Sequence, residues 1–120
     1  MVDKIVLAEK LASIHDHWKP RVVAELNGQM VKLVKVQGTF DWHHHDAEDE
    51  LFLILKGRLR MDLPAREVWL GPGEMIVIPR GLEHRPHAEE EVELMLFEPA
   101  GTLNTGNVRN ERTLEQLERI

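Results

Sequence analysis

The chain has 120 residues, neither cysteine nor tyrosine, and a formal net charge of −6. Its length suits one domain with a core of its own, and the acidic balance leaves no electrostatic footprint for nucleic acid or an anionic membrane. Without cysteine there are no disulfides and any metal must be held by nitrogen and oxygen ligands; without tyrosine no phenol is available as a general acid or base.

In chain order, three regions are expected: an arm over residues 1–20, a barrel over 21–100 and a tail over 101–120. The first ten residues are broken by charges before an apolar run forms, so no signal peptide is expected. No stretch approaches the ~20 apolar residues of a spanning helix, and a cytoplasmic protein is the expectation. Residues 3–14 carry Ile5, Val6, Leu7, Leu11 and Ile14 with Ala8 and Ala12, the pattern of a short amphipathic helix. Its polar side mixes Asp3, Glu9 and Lys10, which favours packing over membrane association. Pro20 closes the approach to the barrel.

Residues 21–26 and 29–36 are expected to be two strands joined at Asn27-Gly28, a strong hairpin signal. Residues 50–56 form a dense apolar strand, and Gly57 turns it into 58–63, where Leu59, Met61 and Leu63 alternate with Arg58, Arg60 and Asp62. Further short strands follow at 67–70, 75–78 and 92–97, separated by Gly71-Pro72-Gly73, Pro79-Arg80-Gly81 and a solvated acidic turn at Glu89-Glu90-Glu91. Such spacing of strands and turns indicates an all-β sandwich or barrel. Both faces of 51–55 are apolar, so the outer face needs a cover, either the N-terminal arm or a second subunit. Thr113 and Gln116 resemble a capping box and predict a short C-terminal helix with Leu114, Leu117 and Ile120 on one side.

The chemistry concentrates at His43, His45 and Glu50, answered by His84. Residues two apart in an extended strand share a face, so His43 and His45 look one way and His44 the other. On a helix the same pair would splay by about 200°, so the spacing belongs to strands. Three imidazoles and one carboxylate can then converge on one ion. His15 and His17 repeat the HxH spacing but have no third histidine or carboxylate at matching distance, and His87 is cut off from a helical pairing with His84 by Pro86. Trp18, Trp42 and Trp69 are read as core or interface residues rather than substrate platforms.

The same residues resemble the cupin family. Its first motif runs here Gly38, His43, His45, Glu50, Gly57, with one residue fewer than usual between Gly38 and His43. Its second runs Gly73, Pro79, Gly81, His84, with Ala88 in place of a final asparagine that is not a ligand in the family. The resemblance covers about residues 30–98. It implies a double-stranded β-helix, or jelly-roll, barrel with a divalent metal bound inside by His43, His45, Glu50 and His84, and it suggests a homodimer. Motif spacing and strand parity both select Glu50 over Glu48 and Asp49.

A tetrahedral zinc ion would use all four ligands and leave the site closed, whereas six-coordinate iron, manganese, nickel or cobalt would leave two positions for water, dioxygen or a small molecule. Three readings stand at this point. One is an oxygenase or isomerase acting on a metal-bound small organic molecule, with Glu50 as catalytic base; another is a metal-dependent protein that binds or senses a ligand without turnover; the last is a purely structural metal. Phe52, Ile54 and Met61 are the expected pocket wall, an apolar one. Arg58 and Arg60 are expected to face solvent, which argues against a phosphosugar.

Overall fold

The structure is a computed structural model that describes residues 2–120; Met1, the first residue of the expected arm, lies outside them. One short helix, α1 (Leu7–Ala12), precedes seven strands: β1 (Arg21–Leu26), β2 (Gln29–Thr39), β3 (Glu50–Lys56), β4 (Leu59–Asp62), β5 (Glu67–Leu70), β6 (Met75–Ile78) and β7 (Arg85–Pro99). The strand path is β1-β2-β7-β3-β6, with β4 pairing both β5 and β7. Every pairing between these strands is antiparallel.

The Asn27-Gly28 turn has the backbone expected of it. Both residues have positive φ, 52° and 77°, which matches the right-handed twist of β1 and β2. β7 is longer than the expected 92–97. It begins at Arg85; its first residues pair β4, its later ones pair β3, and β2 pairs both parts. One bent strand therefore belongs to both walls of the barrel and closes it. The acidic run 89–91 is a strand irregularity rather than a turn: it falls where the β2–β7 register slips between Val36↔Val92 and Gly38↔Ala88. Its three side chains stay exposed.

Strand parity builds the core. Val34, Val36, Phe52, Ile54, Leu59, Met61, Val92, Leu94 and Leu96 all point inward and are buried together. On the outside, Leu11 and Ile14 of the arm bury against Leu33, with Leu7, Leu55 and Met95 beside them. Each such side chain contributes about 1.5–3 kcal/mol when fully buried. The arm thus covers one end of the outer β3 face. The rest of that face, Leu51 and Leu53 flanked by Val77, Met75 and Phe97 through the strand register, has no cover among the described residues, and Met75 and Val77 are 59% and 52% exposed.

Two expected helices are corrected. The N-terminal one is only Leu7–Ala12: it starts from Val6 without a side-chain cap and closes at Ser13, whose hydroxyl donates to the Lys10 carbonyl at 2.7 Å. The C-terminal one is absent. The Thr113 hydroxyl is engaged by Thr105 at 2.7 Å and accepts from the Asn110 amide at 3.0 Å, so it caps nothing downstream. Residues 118–120 instead run extended beside β1, with Val22 N donating to Glu118 O and Ile120 N to Val22 O. A main chain committed to a sheet edge has no amides left for a helix. No helix among the described residues is long and apolar enough to cross a membrane.

Candidate metal centre

The HxH segment and the loop carrying His84 lie side by side. His43 and His84 form an isolated antiparallel bridge, Phe40 N donates to Pro86 O at 3.0 Å, and Gly81 N donates to His45 O at 2.8 Å. Residues 40–49 are otherwise extended coil rather than strand, yet the two-residue alternation holds: His43 and His45 are buried and His44 is turned outward. There His44 meets two carboxylates, Glu83 at 2.6 Å and Asp46 at 2.9 Å. Glu50 opens β3 and points inward with Phe52 and Ile54.

Ligand atoms of His43, His45, Glu50 and His84 all lie within 4.8 Å of one another, and the four residues are buried. Glu50 Oε1 sits 3.3 Å from His45 Nε2 and 3.3 Å from His84 Nε2. Those three atoms are buried without a hydrogen-bond partner. Unsatisfied buried polar atoms are rare and costly; three aimed at one point fit a cation. The rings are prepared for it. The Nδ1 atoms of His43 and His84 face main-chain carbonyls, Asp41 O at 2.8 Å and Leu82 O at 3.0 Å. A carbonyl only accepts, so each Nδ1 carries the proton and Nε2 keeps its lone pair. Burial, reinforced by the neighbouring His84, pushes the His43 imidazole down to about 4, so it is neutral near pH 7. For Glu50, burial raises the carboxyl, but the neighbouring Glu98, His45 and His84 side chains outweigh it and hold the group well below the usual carboxylate range. The donor set is thus three imidazole nitrogens and a carboxylate, suited to a divalent ion of the zinc, iron, manganese, nickel or cobalt type.

An open-mouthed cavity borders the centre at His43 and Glu50. Its wall is mostly apolar, with Phe40, Phe52, Val34, Leu94 and Leu96, and its rim carries Trp18 and Asn104. Two of the three expected wall residues are corrected. Phe52 lines the cavity, but Ile54 and Met61 are 0% exposed and sealed in the core farther along their strands. Trp18 is also reassigned. It stacks on Phe40 with ring centroids 4.8 Å apart and forms part of the cavity wall, whereas Trp42 and Trp69 are half-exposed beneath Arg85 and Arg58. Arg60 does not simply face solvent: it donates to buried Asp62 at 2.7 Å. His17 pairs with Glu91 and His87 with Thr39, both away from the centre.

Sequence reasoning missed three groups around the site. Lys32 and Glu98 form a buried ion pair at 2.7 Å. Asn107 holds the HxH segment from the tail, with His44 N donating to its Oδ1 at 2.9 Å and its own N donating to His44 O at 3.0 Å. Asn104 supplies the polar rim. The first had a signal: Lys32 shares strand parity with Val34 and Val36, and Glu98 with Leu94 and Leu96, so both charges fall on inward positions. The tail contacts had none.

The jelly-roll barrel and its inward cluster of nitrogen and oxygen donors define a small β-barrel that can hold a metal ion. Residues 30–98 match the Cupin domain family, and the chain belongs to it. It is 33% identical over 86 residues to the uncharacterized protein YdbB of Bacillus subtilis (strain 168), covering 71% of this chain and 74% of that one. Among solved structures it is similar to a cupin-2 domain containing protein from Shewanella frigidimarina NCIMB 400, with TM-score 0.78 and 44% identity over 79% of this chain and 93% of that one. It is also similar to protein NMB1881 from Neisseria meningitidis, with TM-score 0.75 and 30% identity over 82% of this chain and all of that one.

Proposed function

We propose that His43, His45, Glu50 and His84 hold one divalent metal ion, and that the adjoining cavity binds a compact, largely apolar organic molecule against it for oxygenase or isomerase chemistry. The observation that carries this reading is the convergence of three partnerless buried atoms, His45 Nε2, Glu50 Oε1 and His84 Nε2, beside an apolar cavity that Glu50 and His43 line. When bound, the metal supplies Lewis acidity and, at six-coordination, two positions for oxygen donors. The chain does the rest. Trp18, Phe40 and Phe52 exclude water and fix the apolar body of the ligand. Glu50 reaches the cavity and is the group able to take a proton there. No lysine or arginine lines the cavity, which disfavours phosphorylated or multiply charged substrates.

A second copy of the chain is the proposed cover for the outer face of β3 and β6, where Met75 and Val77 stand exposed beside Leu51 and Leu53.

The test of the metal reading is anaerobic loading of metal-free protein with Fe²⁺, Mn²⁺, Co²⁺, Ni²⁺ and Zn²⁺ in turn, with elemental analysis of each. One ion per chain is expected. Compact apolar compounds with two adjacent oxygen donors are then screened for binding, product and oxygen uptake. Turnover with iron and oxygen marks an oxygenase, and oxygen-independent turnover an isomerase. Tight binding without product leaves a ligand-binding protein. Failure of every metal to bind stoichiometrically removes the reading.

A further inference from the structure

Behind Glu50, on the side away from the imidazoles, lies a second layer of charge. The register pairs Leu51 with Phe97 and Phe52 with Leu96, so Glu50 stands directly across from Glu98 on the inward face. On the other side of β7, Glu98 pairs with Met30 and Leu96 with Lys32, which puts Lys32 diagonal to Glu98. Lys32 and Glu98 are only 1% and 2% exposed. Lys32 Nζ donates to Glu98 Oε1 at 2.7 Å, while Glu98 Oε2 has no other partner. The Glu50 and Glu98 carboxyl groups are buried side by side and influence each other. Three inward ionisable residues on three adjacent strands thus form one row leading to the centre.

As a purely structural device this row is poor. A buried ion pair seldom stabilises a fold more than apolar side chains of the same volume, and the remainder of the core is apolar. What the row does have is direction. Glu50 offers one oxygen, Oε1, to both His45 and His84, and Glu98 faces the same side chain from the neighbouring strand. We propose that Glu98, anchored by Lys32, is a positioning residue that holds Glu50 so that a single oxygen faces the metal, keeping the other coordination positions free for the ligand in the cavity. This rests on the metal reading above. It extends to the metal centre the general rule that groups hydrogen-bonded to a ligating carboxylate set its orientation.

The test compares Co²⁺ binding by the whole wild-type chain and three variants, using competition with a chromophoric chelator and the visible absorption spectrum of the cobalt protein. Glu98→Gln, which can still accept from Lys32 and donate to Glu50, is expected to keep affinity within about 3-fold and to keep the spectrum. Lys32→Met/Glu98→Leu is expected to fold, by circular dichroism and thermal melting, yet to bind Co²⁺ about 10–100-fold more weakly with a shifted spectrum. Glu98→Asp keeps a carboxyl group but withdraws it by one methylene; it is expected to weaken binding at least about 5-fold and decides the matter should the double variant not fold. Wild-type affinity and spectrum in a folded Lys32→Met/Glu98→Leu chain, or in Glu98→Asp, overturn the proposal and leave the metal reading standing. Absence of Co²⁺ binding by the wild type removes both.

Discussion

His43 and His84, 41 positions apart in sequence, exchange both main-chain hydrogen bonds: His43 N donates to His84 O at 3.1 Å and His84 N donates to His43 O at 2.9 Å. The two histidine-bearing segments are therefore joined by backbone before any ion arrives. Their rings lie 4.3 Å apart, centroid to centroid, as a consequence.

It follows that single side chains can be removed without dismantling the site. His84→Ala keeps the bridge, since the bridge is main chain. The variant is expected to retain the far-ultraviolet circular dichroism of the wild type while losing stoichiometric metal by elemental analysis. Loss of β-structure in the metal-free variant would show that the ring, not the bridge, holds the segments together.

Metal should stabilise the chain. At a free metal concentration of about 100 times Kd the expected gain is about 2.7 kcal/mol. For a domain of this size that raises Tm by roughly 10 °C. Chelation should reverse the shift, and Glu50→Gln should abolish most of it. Equal Tm with and without metal in calorimetry contradicts the expectation.

Asp62 is buried and accepts from Arg60 Nε at 2.7 Å and from Arg85 Nε at 3.0 Å. Burial raises its carboxyl, but the two arginines outweigh that and hold it below its ordinary value. A depressed carboxyl stabilises the folded state above its unfolded value of about 4, and the contribution disappears as pH falls through the lower folded value. Asp62→Asn should therefore cost about 1–3 kcal/mol at pH 7, and the gap from wild type should close in urea titrations carried toward pH 2. A gap independent of pH would assign the loss to packing alone.

Gly106 shows how the tail supports the site. Its φ is +57°, and a Cβ there would overlap the His44 carbonyl. Gly106→Ala should displace the tail from the HxH segment, breaking the pair of hydrogen bonds between His44 and Asn107. The expected cost is about 1–3 kcal/mol, with faster proteolysis after residue 100 and weaker metal binding. Unchanged protease resistance would mean that the contact is dispensable.

For the outer sheet face, Val77→Lys with Met75→Lys introduces charge where a partner copy is proposed to pack. Light scattering should report a dimer for the wild type and a monomer for the variant, with the metal content of the two alike. A monomeric wild type at micromolar concentration leaves the face without that partner.

Much of this molecule was legible in its residues. The Asn27-Gly28 turn, the alternation along β3 and β4 and the position of Gly57 are local features. Gly57 has φ +90°, and a Cβ there would come within 2.9 Å of the Glu91 carbonyl, so only glycine fits. The clustering of His43 and His45 was legible for the same reason: the HxH spacing needs only an extended backbone to face two rings one way, even in the coil that the segment proves to be. The capping-box pattern at Thr113 misled because a helix signal is weak against a tertiary demand, here the extended run of residues 118–120 along β1.

The sequence by itself determined which side chains share a face, because strand parity is a two-residue property of the backbone. Tertiary structure alone decided which faces meet. It set Glu98 opposite Glu50, brought Trp18 to the cavity that Ile54 and Met61 do not reach, and laid the tail across His44. Each of these depends on register between segments far apart in the chain, and register is fixed only when the whole barrel closes and its core packs.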